Sequence, residues 1–258
     1  MADKKGRGFV EQRRQTILTI LKEKGRVGVT ELAEKLGIST LTVRRDLDEL
    51  ERRGLATRRY GEALLSENVM SLGQMAQLSP FEATKERIAR AGAELVHDNE
   101  LLFINTSSTA LMVVNYLKAR GVTVVTNSLH GDELVCPNGG NVLVTGGEIR
   151  PPRGVLSGEF ALANIRSVAA SVAFLGCAGI SLTAGITSTT QQEAIVNSLM
   201  VERSDRMVLL ADSRKLGIGA GFSYASLDQV NLLITDTGAT DEDVQILLEA
   251  GIHEIRRV

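Results

Sequence analysis

The feature that most restricts this chain is a series of short apolar runs, most of them continuous and ending at a polar or glycine residue. Strands are expected at Leu101–Asn105, Val122–Thr126, Asn141–Thr145, Val172–Gly176, Met207–Ala211, Leu232–Thr235 and, last and shortest, Glu254–Val258. Between them, helical patterns fall at Thr84–Val96, Thr109–Ala119, near Gln192–Arg203 and at Asp241–Glu249. Strands that are apolar on both sides must be covered on both faces, and strands joined through helices run parallel. Residues 84–258 are therefore expected to form an α/β body with a mainly parallel sheet. The longest apolar runs, such as Val208–Ala211 and Leu232–Ile234, fall far short of the roughly 18 residues a membrane span needs. Met1–Gly8 is basic and polar with no apolar stretch behind it, so no secretory leader is expected. Two cysteines, Cys136 and Cys177, with no CxxC, fit a reducing cytoplasm.

Ligands on parallel sheets bind beyond the carboxyl ends of the strands, and polar residues collect there. Asn105, Thr106, Ser107, Ser108 and Thr109 follow one strand and open a helix, where hydroxyls and backbone N–H groups can cradle a phosphate. Thr126 and Asn127, then Gly146 and Gly147 with Arg150, then Gly176–Ser181, then Asp212–Lys215 follow other strands. Each alone reads as an ordinary polar turn. Together, with Arg150 and Lys215 as cations, they point to a phosphorylated small ligand.

The net charge of −2 argues against nucleic acid only until it is divided. Residues 1–60 carry 15 Lys/Arg against nine Asp/Glu, a balance of +6, and the remaining residues carry −8. A basic head on an acidic body suggests that the head alone meets a polyanion. The head fits three helices. Gln12–Lys24 shows an amphipathic stripe of Ile17, Leu18, Ile20 and Leu21, with Gly25 as its stop; Thr30 is expected to cap Glu31–Leu36; a helix from Thr40 to about Arg53 follows the turn Gly37-Ile38-Ser39. Ala33 lets the last two helices approach, and Leu32, Leu36, Ile38 and Val43 close a small core. Three residues after Val43, where a helix-turn-helix usually carries an apolar residue, stands Asp46; Leu47 and Leu50 cover the inner face instead. The opposite arc holds Leu41, Arg45, Asp48 and Arg52, flanked by Thr42 and Arg44. With Ser39 as the cap, Thr40, Leu41 and Thr42 are placed to meet base edges, and Arg44 and Arg45 to take either a guanine edge or a phosphate. Leu55–Leu65, with Arg58 and Arg59, suits a two-stranded wing. A winged helix-turn-helix domain is thus expected over residues 1–63 and a linker over 64–83.

These residues also carry a family resemblance. Arg13-Arg14-Gln15-x-Ile17-Leu18, Glu31-Leu32-Ala33, Leu36-Gly37-Ile38-Ser39 and Thr42-Val43-Arg44-Arg45-Asp46-Leu47 resemble the DeoR family of bacterial transcription regulators. In the body, Val125–Ser128, Gly146-Gly147, Phe174-Leu175-Gly176, Gly185-Ile186-Thr187, Glu193-Ala194 and Leu210–Ser213 with Lys215 match that family's effector domain in order. The resemblance implies a ribose-5-phosphate-isomerase-like body that binds a sugar phosphate or related metabolite. It also implies a repressor of a sugar-uptake or catabolic operon. Partners would be double-stranded operator DNA and copies of the chain itself, as a dimer or tetramer. The wing reads Tyr60-Gly61-Glu62-Ala63 where the family has His-Gly-Gly-Ala. Asn105, Ser171 and Ser181 stand where it usually has Asp, and Ser107 where it has Gly. Those departures imply a changed effector or weaker binding.

The competing class is an enzyme, a sugar-phosphate isomerase or acyl-CoA transferase. The catalytic inventory is thin: His97, His130 and His253 are scattered without HxxH, and Ser157 is not in a GxSxG elbow. No catalytic residue, metal or cofactor is expected.

Overall fold

The computed structural model describes residues 13–14, 16–21, 24, 26–52, 55–59, 62–65, 82–150, 154–219 and 221–258. Arg52, Arg58, Arg59 and Arg150 are described by their backbones alone; the wing tip Tyr60-Gly61, the expected helix stops Gly25 and Gly54, and linker residues 66–81 lie outside the described residues. The chain divides into two compact units, one built on Met1–Glu82 and the other on Ala83–Arg150 with Gly154–Val258.

In the first unit, residues 16–21 are helical (α1), and Ile17, Leu18, Ile20 and Leu21 are all buried. Strand β1 (Arg26–Gly28) leads into α2 (Val29–Leu36) and then α3 (Thr40–Arg52). The expected cap at Thr30 is corrected. The helix begins one residue earlier, behind Gly28, which is held extended at the end of β1 and offers no side-chain cap. Gly37 closes α2 in the left-handed region at φ +62, a conformation that costs a side chain with a Cβ. Ser39 caps α3, its Oγ accepting from the Thr42 N–H at 3.2 Å. β2 (Ala56–Arg59) and β3 (Glu62–Leu65) form the wing, and β1 adds to it, giving an antiparallel sheet in the order β1-β3-β2. The wing therefore has three strands where the sequence suggested two. Leu32, Val43, Leu47 and Leu50 fill the core beneath it, with Leu36 and Ile38 at its margin.

The second unit is built on seven strands: β4 (Leu101–Ile104), β5 (Thr123–Thr126), β6 (Asn141–Val144), β9 (Val172–Leu175), β12 (Met207–Leu210), β14 (Leu232–Thr235) and β15 (Ile255–Arg257). All pairs are parallel, in the order β15-β14-β12-β9-β4-β5-β6. The apolar runs thus became the strands expected of them, within one or two residues. One face carries Phe103, Val125, Leu175 and Leu209, packed with residues of α6 (Gly158–Arg166), α7 (Gln191–Glu202) and α8 (Asp241–Glu249). On the other face α4 (Glu82–Ala93) runs so close that a Cβ on Gly92 would stand 3.4 Å from the side chains of Leu210 and Val113. Among the described residues no helix is long and apolar enough to cross a membrane.

Three features were not legible in advance. The helix expected at Thr109–Ala119 is a short α5 (Ser108–Met112) that tightens into a 3-10 turn over Val113–Tyr116. Helix α6 and the hairpin of β7 (Glu148–Arg150) with β8 (Val155–Ser157) fill a stretch left unassigned. A separate antiparallel sheet, β10 (Gly179–Ser181), β11 (Gly185–Ser188) and β13 (Phe222–Ala225), packs Ile180, Ile186 and Tyr224 onto the first face.

Candidate DNA-reading face and effector site

Helix α3 presents two different surfaces. Val43, Leu47 and Leu50 point into the head's core, while Thr40, Leu41, Arg44, Arg45 and Asp48 are exposed. Leu41 is 59% exposed, a large apolar side chain with no core function. Thr42 is half-buried, and its hydroxyl bonds that of Ser39 at 2.9 Å. No acid stands in the first turn, so nothing offsets the positive end of the helix dipole there. The backbone of Arg52 ends this helix, and Arg58 and Arg59 lie on β2, with Arg59 opposite Glu62 in the ladder.

Asp46 settles how this helix is held. It is only 1% exposed, and its carboxylate accepts from Arg13 Nε at 2.6 Å and from Arg14 Nε at 3.0 Å. A buried carboxylate must be paired, and two guanidinium groups from the start of the chain pair it. Arg13 and Arg14 are therefore consumed internally, which the charge count alone did not reveal. The available signal was Asp46 itself, an acid at a core position with Arg13-Arg14 one helix away.

In the body, the chain moves from β4 outward to β5 and β6, then crosses back to β9 and on to β12 and β14. The strand order reverses between β4 and β9, and open parallel sheets bind ligands beyond the carboxyl ends at such a reversal. Asn105 and Gly176 occupy those two ends. The Asn105 amide donates to the Gly176 carbonyl at 3.0 Å and to Asn197 Oδ1 at 3.3 Å. Its Oδ1 accepts from the Gly176 N–H at 3.1 Å and the Ser107 N–H at 3.2 Å. Tyr224 adds its hydroxyl to the Gly176 carbonyl at 2.9 Å, and Asn197 donates to Ser188 Oγ at 3.0 Å. Asn105, 3% exposed, is thus spent on joining loops. Ser107 presses on Gly176, where a Cβ would collide with its Oγ. Thr106 and Ser108 are half-buried, and Thr109 is buried.

The neighbouring strand ends are also built. Thr126 Oγ1 accepts from the Ser128 N–H at 3.1 Å. Asn127, buried, exchanges bonds with Leu156 of β8, and its Oδ1 has no hydrogen-bond partner among the described residues. Gly146 is half-buried and Gly147 exposed; at Gly147 (φ +111) a Cβ would strike the Ser157 carbonyl. Arg150 lies on β7 opposite Val155. On the other side of the reversal, Asp212 is neutralised by Arg214 at 2.7 Å, and Asp236 accepts from Ser213 at 2.6 Å. Lys215, half-buried beside them, has no ion pair among the described residues.

A model of the DeoR C terminal sensor domain matches residues 81–237, and a model of the DeoR-like helix-turn-helix domain matches residues 13–69. The chain belongs to the DeoR family. It is 30% identical over 230 residues to the HTH-type transcriptional repressor GlcR of Bacillus subtilis, covering 88% of this chain and 89% of that one. It is 28% identical over 244 residues to the glycerol-3-phosphate regulon repressor of Escherichia coli, covering 94% and 97%. Ribose 5-phosphate isomerase A from Methanocaldococcus jannaschii superposes with a TM-score of 0.38 at 16% identity, over 53% of this chain and 55% of that one.

The departures from the family pattern now separate. Ser171 does not lie with the others: it precedes β9 at the amino end of the sheet, where its hydroxyl donates to the Leu101 carbonyl at 3.1 Å. Ser181 ends β10 and accepts from the N–H groups of Thr183 and Ala184, shaping a hairpin turn. Of the three positions where the family usually has Asp, Asn105 alone stands at the strand-order reversal, beside Ser107, and there it donates two bonds that an ionised carboxylate could not.

Two expectations follow. Asp46→Ala removes the buried carboxylate that Arg13 and Arg14 share and should cost the head about 3 kcal/mol of stability, read as an early unfolding transition in calorimetry. Burial pushes the Cys177 thiol up to about 12, opposed by the positive charge of Lys215. Cys177 should therefore resist alkylation in the native protein at pH 8 and react on unfolding. Native stability should also fall as pH rises from the ordinary thiol range toward 12, because only the unfolded chain releases that proton.

Proposed function

We propose that this DeoR-family regulator represses an operon for sugar uptake or catabolism and leaves its operator when a phosphorylated sugar or related metabolite binds the body. The reading rests on the pairing of an exposed cationic recognition helix with a body whose strand-order reversal gathers hydroxyls beside Lys215, which has no ion pair among the described residues. The resemblance in length and sequence to named repressors, one of them of a glycerol-3-phosphate regulon, supports it.

On the DNA, Ser39, Thr40, Leu41 and Thr42 enter the major groove at the start of α3, with Leu41 suited to a thymine methyl. Arg44 and Arg45 take a guanine edge or a phosphate, while Arg52 and the wing residues Arg58 and Arg59 lie along the backbone. In the body, Thr106, Ser107, Ser108 and Thr109 offer hydroxyls and N–H groups to the ligand, and Lys215 and Arg150 meet its phosphate. Thr126, Asn127, Gly146 and Gly147 close the same end. Asn105 serves it indirectly, by fixing the loop. Asp212 and Asp236 are committed to Arg214 and Ser213, which leaves neither poised as the general base an isomerase would need.

A single head buries little surface, so operators of this kind are read as two half-sites about one helical turn apart, or a multiple, by a homo-oligomer in the cytoplasm. The metabolite must bind the DNA-competent and the released states with different affinity, shifting how the heads are spaced or ordered.

Two variants test the two ends. Arg45→Ala should weaken operator binding by about 1–3 kcal/mol with unchanged melting temperature; unchanged affinity in a salt-controlled shift assay removes Arg45 from the interface. Lys215→Ala should bind operator normally yet require far more sugar phosphate for release. A normal response in that titration places the phosphate elsewhere.

A further inference from the structure

Helix α7 packs against the sheet through a face that is not all apolar. Ala194, Val196 and Met200 are buried on it, but so is Asn197, only 4% exposed. A primary amide inside a core is costly unless its hydrogen-bonding groups are met. Asn197 finds partners on two other elements. Its Oδ1 accepts from the Asn105 amide at 3.3 Å, and its own amide donates to Ser188 Oγ of β11 at 3.0 Å.

The direction of these bonds is set from one end. Gly176 presents both its N–H and its carbonyl to Asn105, so the side chain of Asn105 must turn Oδ1 to the first and its amide to the second. The remaining amide N–H of Asn105 is the one that Asn197 Oδ1 takes. An amide group is planar, so fixing both of its N–H bonds also fixes where Oδ1 points. Oδ1 points to the Ser107 N–H, 3.2 Å away. Ser107 is in turn the N-cap of α5, its Oγ accepting from the Ala110 N–H. A continuous chain of neutral hydrogen bonds thus runs from Ser188 through Asn197 and Asn105 to the loop that carries Thr106–Thr109, and its first three members are at most 5% exposed. Buried polar chains of this kind hold one geometry, because every displacement leaves a donor or acceptor unmet.

We infer that Asn197 is a positioning residue for the effector: acting through Asn105, it holds Ser107 and the neighbouring hydroxyls in the geometry that receives a phosphate. The inference rests on the proposed effector site and adds to it a residue of α7.

Hydrogen exchange of the full chain, read by mass spectrometry over Asn105–Met112, tests it. Asn197→Ala should speed exchange there by about tenfold while strand β12 keeps its wild-type rate. Ser188→Ala, a milder change at the far end of the chain of bonds, should act in the same direction by about threefold. Inorganic phosphate should slow exchange of this loop in the wild type, and Asn197→Ala should need about tenfold more of it for the same protection. A double-mutant cycle separates positioning from packing. If Asn197 works through Asn105, then Asn105→Ala already gives the fast exchange, and adding Asn197→Ala changes it no further. Additive effects, a β12 that speeds up along with the loop, or a loop unchanged in both single variants at positions 197 and 188 overturn the inference. Phosphate protection that is equal in wild type and Asn197→Ala overturns it alone, whereas a wild-type loop that phosphate does not protect overturns the proposed effector site together with it.

Discussion

The five inner strands of the parallel sheet, β4, β5, β9, β12 and β14, are buried on both faces, a constraint from which the rest of the body follows. Neither face can be given to water, so helices must cover both, and polar chemistry is driven to the strand ends. Of the two ends, the carboxyl end at the β4–β9 reversal is where connections depart in opposite directions. Asn105 and Gly176 stand at those two strand ends and are joined by two hydrogen bonds. That junction fixes the loop carrying Thr106–Thr109, and through Asn197 and Tyr224 it connects the strand ends to α7 and to the antiparallel sheet.

The head follows a different economy. Its core is small, and a charged residue stands where an apolar one would pack. Asp46 is tolerated because Arg13 and Arg14 meet it, turning what would be a loss of burial into a fixed ion triad. Helix α3 is held from behind by this triad and by Val43, Leu47 and Leu50, with Leu41, Arg44 and Arg45 exposed on its outer arc. Basic residues in a DNA-binding head are thus of two kinds, and burial separates them.

Much of the fold was legible in the sequence. Continuous apolar runs bounded by glycine or polar residues marked the strands of the parallel sheet other than the edge strand β15, whose Ile255-Arg256-Arg257 is half-exposed, because a buried strand has few other ways to be written. The turn Gly37-Ile38-Ser39 and the two-faced α3 were equally plain. The antiparallel sheet was not, since β10 and β11 are three- and four-residue segments rich in glycine, serine and threonine, whose pairing depends on residues far along the chain. Strand β1 escaped for the same reason: three residues become a strand only because β3 lies beside them. At the candidate site, the polar loops were found, while the roles of single residues in them were not. Asn105, read as a ligand contact, also latches the ends of β4 and β9 together; Ser171 looked like its companion and lies at the other end of the sheet.

What the sequence determined by itself was the periodicity and the chemistry: where strands and helices run, which loops hold hydroxyls and cations, and that positive charge gathers in the head. These are local properties, written in consecutive residues. Only the tertiary structure decided which of those groups are still available. Arg13 and Arg14 are taken by Asp46, Asp212 by Arg214 and the Asn105 amide by Gly176, whereas Arg45 is exposed and Lys215 has no ion pair among the described residues. Whether a polar group binds a ligand or its own protein depends on neighbours brought together across tens of residues, and no local pattern encodes that distance.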